Sequence, residues 1–165
     1  MKNDMRITYP LWQMGAISIL MVLVLMTSYS SNFETFNDGG FEFAINFQGK
    51  LGVLWGITLL VFIVYAWLFY WNVVKHNKQM PKHKINAFSW KPQEYMEDDE
   101  LFQEFTKRAT KKVYSYFVWA IPFLASLYLV FQVGTTGMIL GLLLLSMGQY
   151  VIYYTEIRKY MGEDE

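Results

Sequence analysis

Few residues in this 165-residue chain could do chemistry, and those that could are crowded into its middle. His76 and His83 lie seven positions apart. Imidazoles hold zinc when further Cys, His or carboxylate ligands converge on them, but here lysines surround the pair, so no metal site is expected. Glu97, Asp98, Asp99, Glu100 and Glu104 form an acid run that could face a divalent cation. The run lacks the glycine and the alternating oxygen ligands of a calcium loop, and acids that open a helix are the plainer reading. The chain has no cysteine, which removes disulfides, thiolate sites and a cysteine nucleophile. No glycine-rich phosphate loop, nucleophile elbow or His-Glu-x-x-His motif occurs. The expectation is a protein that is not an enzyme, with no catalytic, cofactor-binding or metal-binding residues.

The elements that would position these groups are apolar blocks. The chain is 54% apolar and 19% aromatic with 17% charge, and the apolar residues are gathered rather than periodic. Residues 11–27, 51–71, 113–133 and 138–154 each have the length to cross about 30 Å of hydrocarbon. The expected fold is an all-α membrane protein in a single domain, an antiparallel bundle of four transmembrane helices. The third helix should extend into the cytoplasm. The first block reads as an uncleaved helix rather than a signal peptide, because Ser28-Tyr29-Ser30 is a poor cleavage site. Residues 29–50 follow as a polar and aromatic loop. Within it Asn37-Asp38-Gly39-Gly40 signals a tight turn. Phe41, Phe43, Ile45 and Phe47 then alternate with smaller or polar residues, so this loop holds a small β-hairpin or an extended segment. Its Phe face rests on the membrane or helix ends, or else recognises an extracellular partner.

Helix packing is expected at Gly52 and Gly56, which form a small-xxx-small pair, and at Gly141 and Gly148 in the fourth span. Pro122 lies inside the third span, where it leaves the Val118 carbonyl unpaired and predicts a helix kink. Gly134-Thr135-Thr136-Gly137 reads as a four-residue reversal joining the last two spans. Trp12, Tyr70 and Trp71 suit the interfacial belt. The spans contain no Asp, Glu, Lys, Arg or His, which argues against a proton relay or an ion-coupled carrier built by one chain. Ser18, Thr58, Ser126 and Ser146, with Gln13, Gln132 and Gln149, read as polar glue between helices.

Charge sets the orientation. Nine of the fourteen bases lie in the connection 72–112. With those in the two tails they give thirteen against Lys50 alone, so the connection and both termini should be cytoplasmic in a plasma-membrane protein. Bases beside a bilayer are topology signals and contacts to anionic lipid; a nucleic-acid partner is not expected.

The stretch 96–113 carries acids at its front and bases at its back, and it runs into the third span. A single helix from about Pro92 or Met96 is expected to pass through that span. Glu104 precedes Arg108 by four, a favourable order. Leu101, Phe105 and Ala109, flanked by Phe102, form an apolar stripe, which is the candidate partner contact. Asp99-Glu100, Phe105 and Lys107-Arg108-Ala109 before a span resemble the Asp-Glu-Arg-x-x-x-Ile-x-x-Lys-Ala pattern of small multi-span membrane proteins of Gram-positive bacteria. Leu101 stands at the pattern's Arg and Phe105 at its Ile. The resemblance implies bacterial membrane location and topology, and no chemistry. The function expected is that of a membrane accessory protein acting by protein–protein contact, of regulatory, assembly or immunity type. Its partners would be the lipid bilayer and another membrane protein or itself. The alternative is a small transport component working as a homo-oligomer.

Overall fold

The computed structural model of the chain describes residues 5–35, 41–45, 49–81, 84–85 and 100–162. The side chains of Arg6, residues 30–45, residues 100–102 and residues 160–162 lie outside that description, as do His83, Pro92, residues 96–99 and the turn at Asn37–Gly40. Four helices carry the structure: α1 (Met5–Ser30), α2 (Lys50–Gln79), α3 (Glu100–Phe131) and α4 (Thr135–Gly162). All four are long and apolar enough to cross a membrane. Between α1 and α2, strands β1 (Ser31–Thr35) and β2 (Phe41–Ile45) pair antiparallel, with Phe33 opposite Phe43.

Each helix outruns its apolar block. α2 continues eight residues past Trp71 to Gln79, because Asn72, Lys75, His76 and Lys78 end the hydrophobic run but do not break helical backbone. α1 starts at Met5, ahead of Pro10, and the proline ring leaves the Arg6 carbonyl without an amide partner. α3 is continuous through Pro122. Its end corrects the expected reversal: the chain turns at Gln132, Val133 and Gly134, while Thr135–Gly137 already belong to α4. The reason is local. Gln132 takes the left-handed conformation, with φ of 46°, and this ends α3 early. The Met138 amide then donates to the Gly134 carbonyl at 3.1 Å and starts the next helix.

The packing is a row. α2 lies on α1, α1 on α4, and α4 on α3, and no other pair of helices packs comparably among the described residues. The start of α1 meets the later part of α2, where Trp12 and Tyr65 have ring centroids 5.0 Å apart. The end of α1 meets the start of α4, where Ser28 and Thr136 hydroxyls are 2.8 Å apart. α2 and α3 are therefore edge helices. Large apolar side chains stand open on them, including Leu129 at 82% and Trp119 at 79% exposure. Water would penalise so much contiguous apolar surface. In hydrocarbon it carries no such cost, and packing falls to close backbone approach and hydrogen bonds.

Candidate functional site

The helices are fastened by a repeated device. Tyr65 on α2 donates its hydroxyl to the Trp12 carbonyl of α1 at 2.8 Å. Tyr128 on α3 donates to the Met138 carbonyl of α4 at 2.8 Å, close also to that of Gly137 at 3.3 Å. Tyr116 donates to the Leu145 carbonyl at 3.4 Å. Each accepting residue sits three positions before a glycine: Gly15, Gly141 and Gly148. A helical side chain covers the turn on the N-terminal side of its own Cα, so a glycine uncovers that carbonyl. A Cβ added at Gly15, Gly141 or Gly148 would lie 2.1, 1.7 or 2.3 Å from the incoming tyrosine oxygen. Ring and notch are thus matched in three places. Gly141 and Gly148 receive tyrosines from α3, whereas a Cβ added at Gly56, on the open edge of α2, would meet nothing within 4 Å. Gly52 is half-buried.

The small polar residues expected to link helices do so only in part. Ser18 and Ser126 hydroxyls donate back to the Met14 and Pro122 carbonyls of their own helices, at 2.9 and 2.8 Å. That is the usual helix-interior alternative for serine. Thr58 bonds its own helix at Leu54 and reaches Met26 Sδ at 3.5 Å. Trp55 Nε1 donates to Thr27 Oγ1 at 3.0 Å across α1 and α2.

Two polar constructions stand at the end of the layer where α1 and α3 begin. The first joins α3 to α4. Glu156 is only 5% exposed, and its carboxylate accepts from Lys112 Nζ at 2.5 Å and from Lys159 Nζ at 3.5 Å. On α3, Phe105, Ala109, Lys112 and Tyr116 recur at helical spacing, so they share one side, and Lys112 and Tyr116 reach α4 from it. This places the expected partner stripe. Ala109 is fully buried and Thr106 nearly so, so Ala109 is turned into the chain. Phe105 is half-buried. Leu101 and Phe102 side chains lie outside the described residues. Arg108 and Glu104 pair on the exposed side at 2.5 Å.

The second construction is a cavity of about 360 Å³ between α1 and α2. Met5, Thr8 and Trp12 line it from α1, and Asn72, Lys75, His76 and Gln79 from α2. A corner beside it is firmly built. Met5, Val73 and Ile85 are buried together against Tyr9, Trp12 and Phe69. The Asn77 amide pairs with the Ile85 backbone in both directions, Nδ2 to the carbonyl at 2.8 Å and the amide to Oδ1 at 2.7 Å. That pair of hydrogen bonds brings Ile85 back against α2. His76 is buried beside the cavity. Among the described residues, no group of three His, Asp or Glu could hold a metal ion. Hydrogen-bond donors and a cation gather here, and among the described residues no carboxylate lines the cavity, so the arrangement suits binding of an anion. Sequence reading placed Lys75 and His76 in the basic connection without placing them against α1. Comparison with known protein families, with curated proteins and with solved structures gives no match.

Proposed function

We propose that the chain is a non-enzymatic accessory protein of the plasma membrane that acts by contact with another membrane protein. Its four helices cross the bilayer in alternating directions. The termini and the connection after α2 are cytoplasmic, on the strength of thirteen bases against one, and the β1–β2 hairpin faces outward. The observation that carries the reading is the open edge of α2. Gly15, Gly141 and Gly148 are filled by tyrosines of this chain, while Gly56, amid apolar surface, has open space where a neighbour's side chain would seat. Small residues that let backbones approach are the usual means of helix association in lipid.

The test uses the absence of native cysteine. A Gly56→Cys variant carries one thiol, and a short bifunctional reagent applied to intact membranes should join it to a different membrane protein, identified by mass. A product made only of two copies of this chain would favour the second reading, a homo-oligomeric transport component. That reading draws on the same row of helices, whose two open edges would need further copies to enclose a path. Recovery of the unlinked monomer alone would remove both.

A further inference from the structure

We propose that the cavity between the start of α1 and the end of α2 is a binding site for a phosphate group, carried on an anionic lipid or free in solution. Its depth is the first argument. The apolar run 51–71 of α2 rises about 31 Å at 1.5 Å per residue, which matches the hydrocarbon thickness. Trp67 and Trp71, with ring centroids 5.6 Å apart, mark its end. Asn72, Lys75 and Gln79 occupy the next two turns, at the level where head groups lie. The second argument is chemistry. Lys75 is exposed and has no partner among the described residues. Gln79 and the second amide hydrogen of Asn72, whose first goes to the Leu68 carbonyl at 2.9 Å, add uncharged donors. The Thr8 hydroxyl donates to the Met5 carbonyl at 3.4 Å, which leaves an oxygen lone pair rather than a donor facing the cavity. Met5 and Trp12 supply an apolar wall. The third argument is size: about 360 Å³ falls within the range of ligand pockets, roughly 300–1,000 Å³. A basic pocket between helices at the membrane surface, with an apolar wall on one side, fits an acidic head group and the first carbons of its chains.

The experiment uses the full chain in a zwitterionic detergent and reads its melting temperature against added phosphatidylglycerol, phosphatidylcholine or inorganic phosphate. If lipid-borne phosphate is the ligand, phosphatidylglycerol raises the melting temperature and phosphatidylcholine and inorganic phosphate do not. Lys75→Gln then weakens the apparent affinity by about fivefold, while Lys78→Gln, on the same helix but outside the cavity, leaves it unchanged. If free phosphate is the ligand, inorganic phosphate gives that pattern instead. Equal weakening by Lys75→Gln and Lys78→Gln, or no stabilisation by either additive, overturns the site. Asn72→Leu removes a donor and puts an apolar side chain into the cavity without changing charge, and stabilisation that it leaves undiminished also overturns the site. That variant decides the matter should Lys75→Gln fail to fold.

Discussion

The α1–α2 and α3–α4 pairs are made of similar apolar helices, yet they are closed differently. α3 and α4 are joined by three residues and held by two tyrosine–glycine contacts, and Lys112 and Glu156 tie their charged ends. α1 and α2 are joined through a hairpin and share one such contact, at Tyr65 and Gly15, with an aromatic cluster below it. Their charged ends part around a cavity. The difference shows what each pair is suited to. Where a lysine meets a buried acid, the charge is neutralised inside the chain. Where Lys75 faces donors and, among the described residues, no acid, the charge is left for a ligand.

The comparison breaks most visibly at the glycines. Gly141→Leu puts a Cβ 1.7 Å from the Tyr128 oxygen, and the ring cannot leave without giving up its carbonyl. We expect a loss of about 2–3 kcal/mol from overpacking. Gly15→Leu, at 2.1 Å from the Tyr65 oxygen, should cost about 1–2 kcal/mol and open the α1–α2 pair alone. Gly56→Leu meets open space and should gain up to about 1 kcal/mol from helix propensity. Equilibrium unfolding in mixed micelles, followed by tryptophan fluorescence, orders the three. A Gly56→Leu variant as unstable as Gly141→Leu would mean that the α2 edge is packed after all.

At the charged ends the effect is smaller. Glu156→Gln removes the negative charge that Lys112 and Lys159 share and leaves one acceptor oxygen for the two of them. Glu156 is buried, but the Lys112 side chain is 55% exposed, so water recovers part of the loss. About 1–2 kcal/mol is expected. Lys75→Gln, with no partner to strand among the described residues, should stay within about 0.5 kcal/mol when no anion is added. Equal effects from the two substitutions would erase the contrast between the closed and open ends.

This contrast bears on what the sequence makes legible. The four spans are readable because hydropathy is a sum over consecutive residues, and α2 and α4 fall where the apolar blocks lie. Their ends are not readable from that sum: the backbone helix of α2 continues to Gln79 through residues that water accepts. Gly141, Gly148 and Tyr128 are each conspicuous as residue types. Their pairing depends on the register between two helices, which no local pattern records. Gly15 is hidden for the same reason, since only Tyr65, fifty positions on, gives it meaning. Glu156 looks like one acid of a charged tail until Lys112, forty-four residues earlier, is brought beside it. The cavity depends wholly on such pairing, because α1 and α2 each contribute half of it.

The tyrosine hydroxyls sharpen the comparison further. Tyr65→Phe and Tyr128→Phe keep the ring in its notch and remove only the hydrogen bond. Interhelical hydrogen bonds in lipid are worth about 0.6 kcal/mol on average, so each variant should lose roughly that much. Tyr128→Phe should lose slightly more, because its oxygen lies near two carbonyls. Losses above about 2 kcal/mol would show that the hydroxyl, and not the fit of ring to glycine, holds the pairs together.

The smallest effect lies in the link that makes α3–α4 the tighter pair. Gln132 holds φ at 46°, where a side chain crowds its own carbonyl and glycine does not. Gln132→Gly removes that crowding, while the freer unfolded chain offsets part of the gain. A net stabilisation of about 0.5 kcal/mol is expected, read as a small rise in the unfolding midpoint with an unchanged slope. At Gly49, before α2, φ is already 81° and occupied by glycine, so Gly49→Ala should move stability the opposite way. If both substitutions destabilise, the reversal at Gln132 depends on its side chain, and the closeness of α3 to α4 would owe more to that residue than to the tyrosines beneath it.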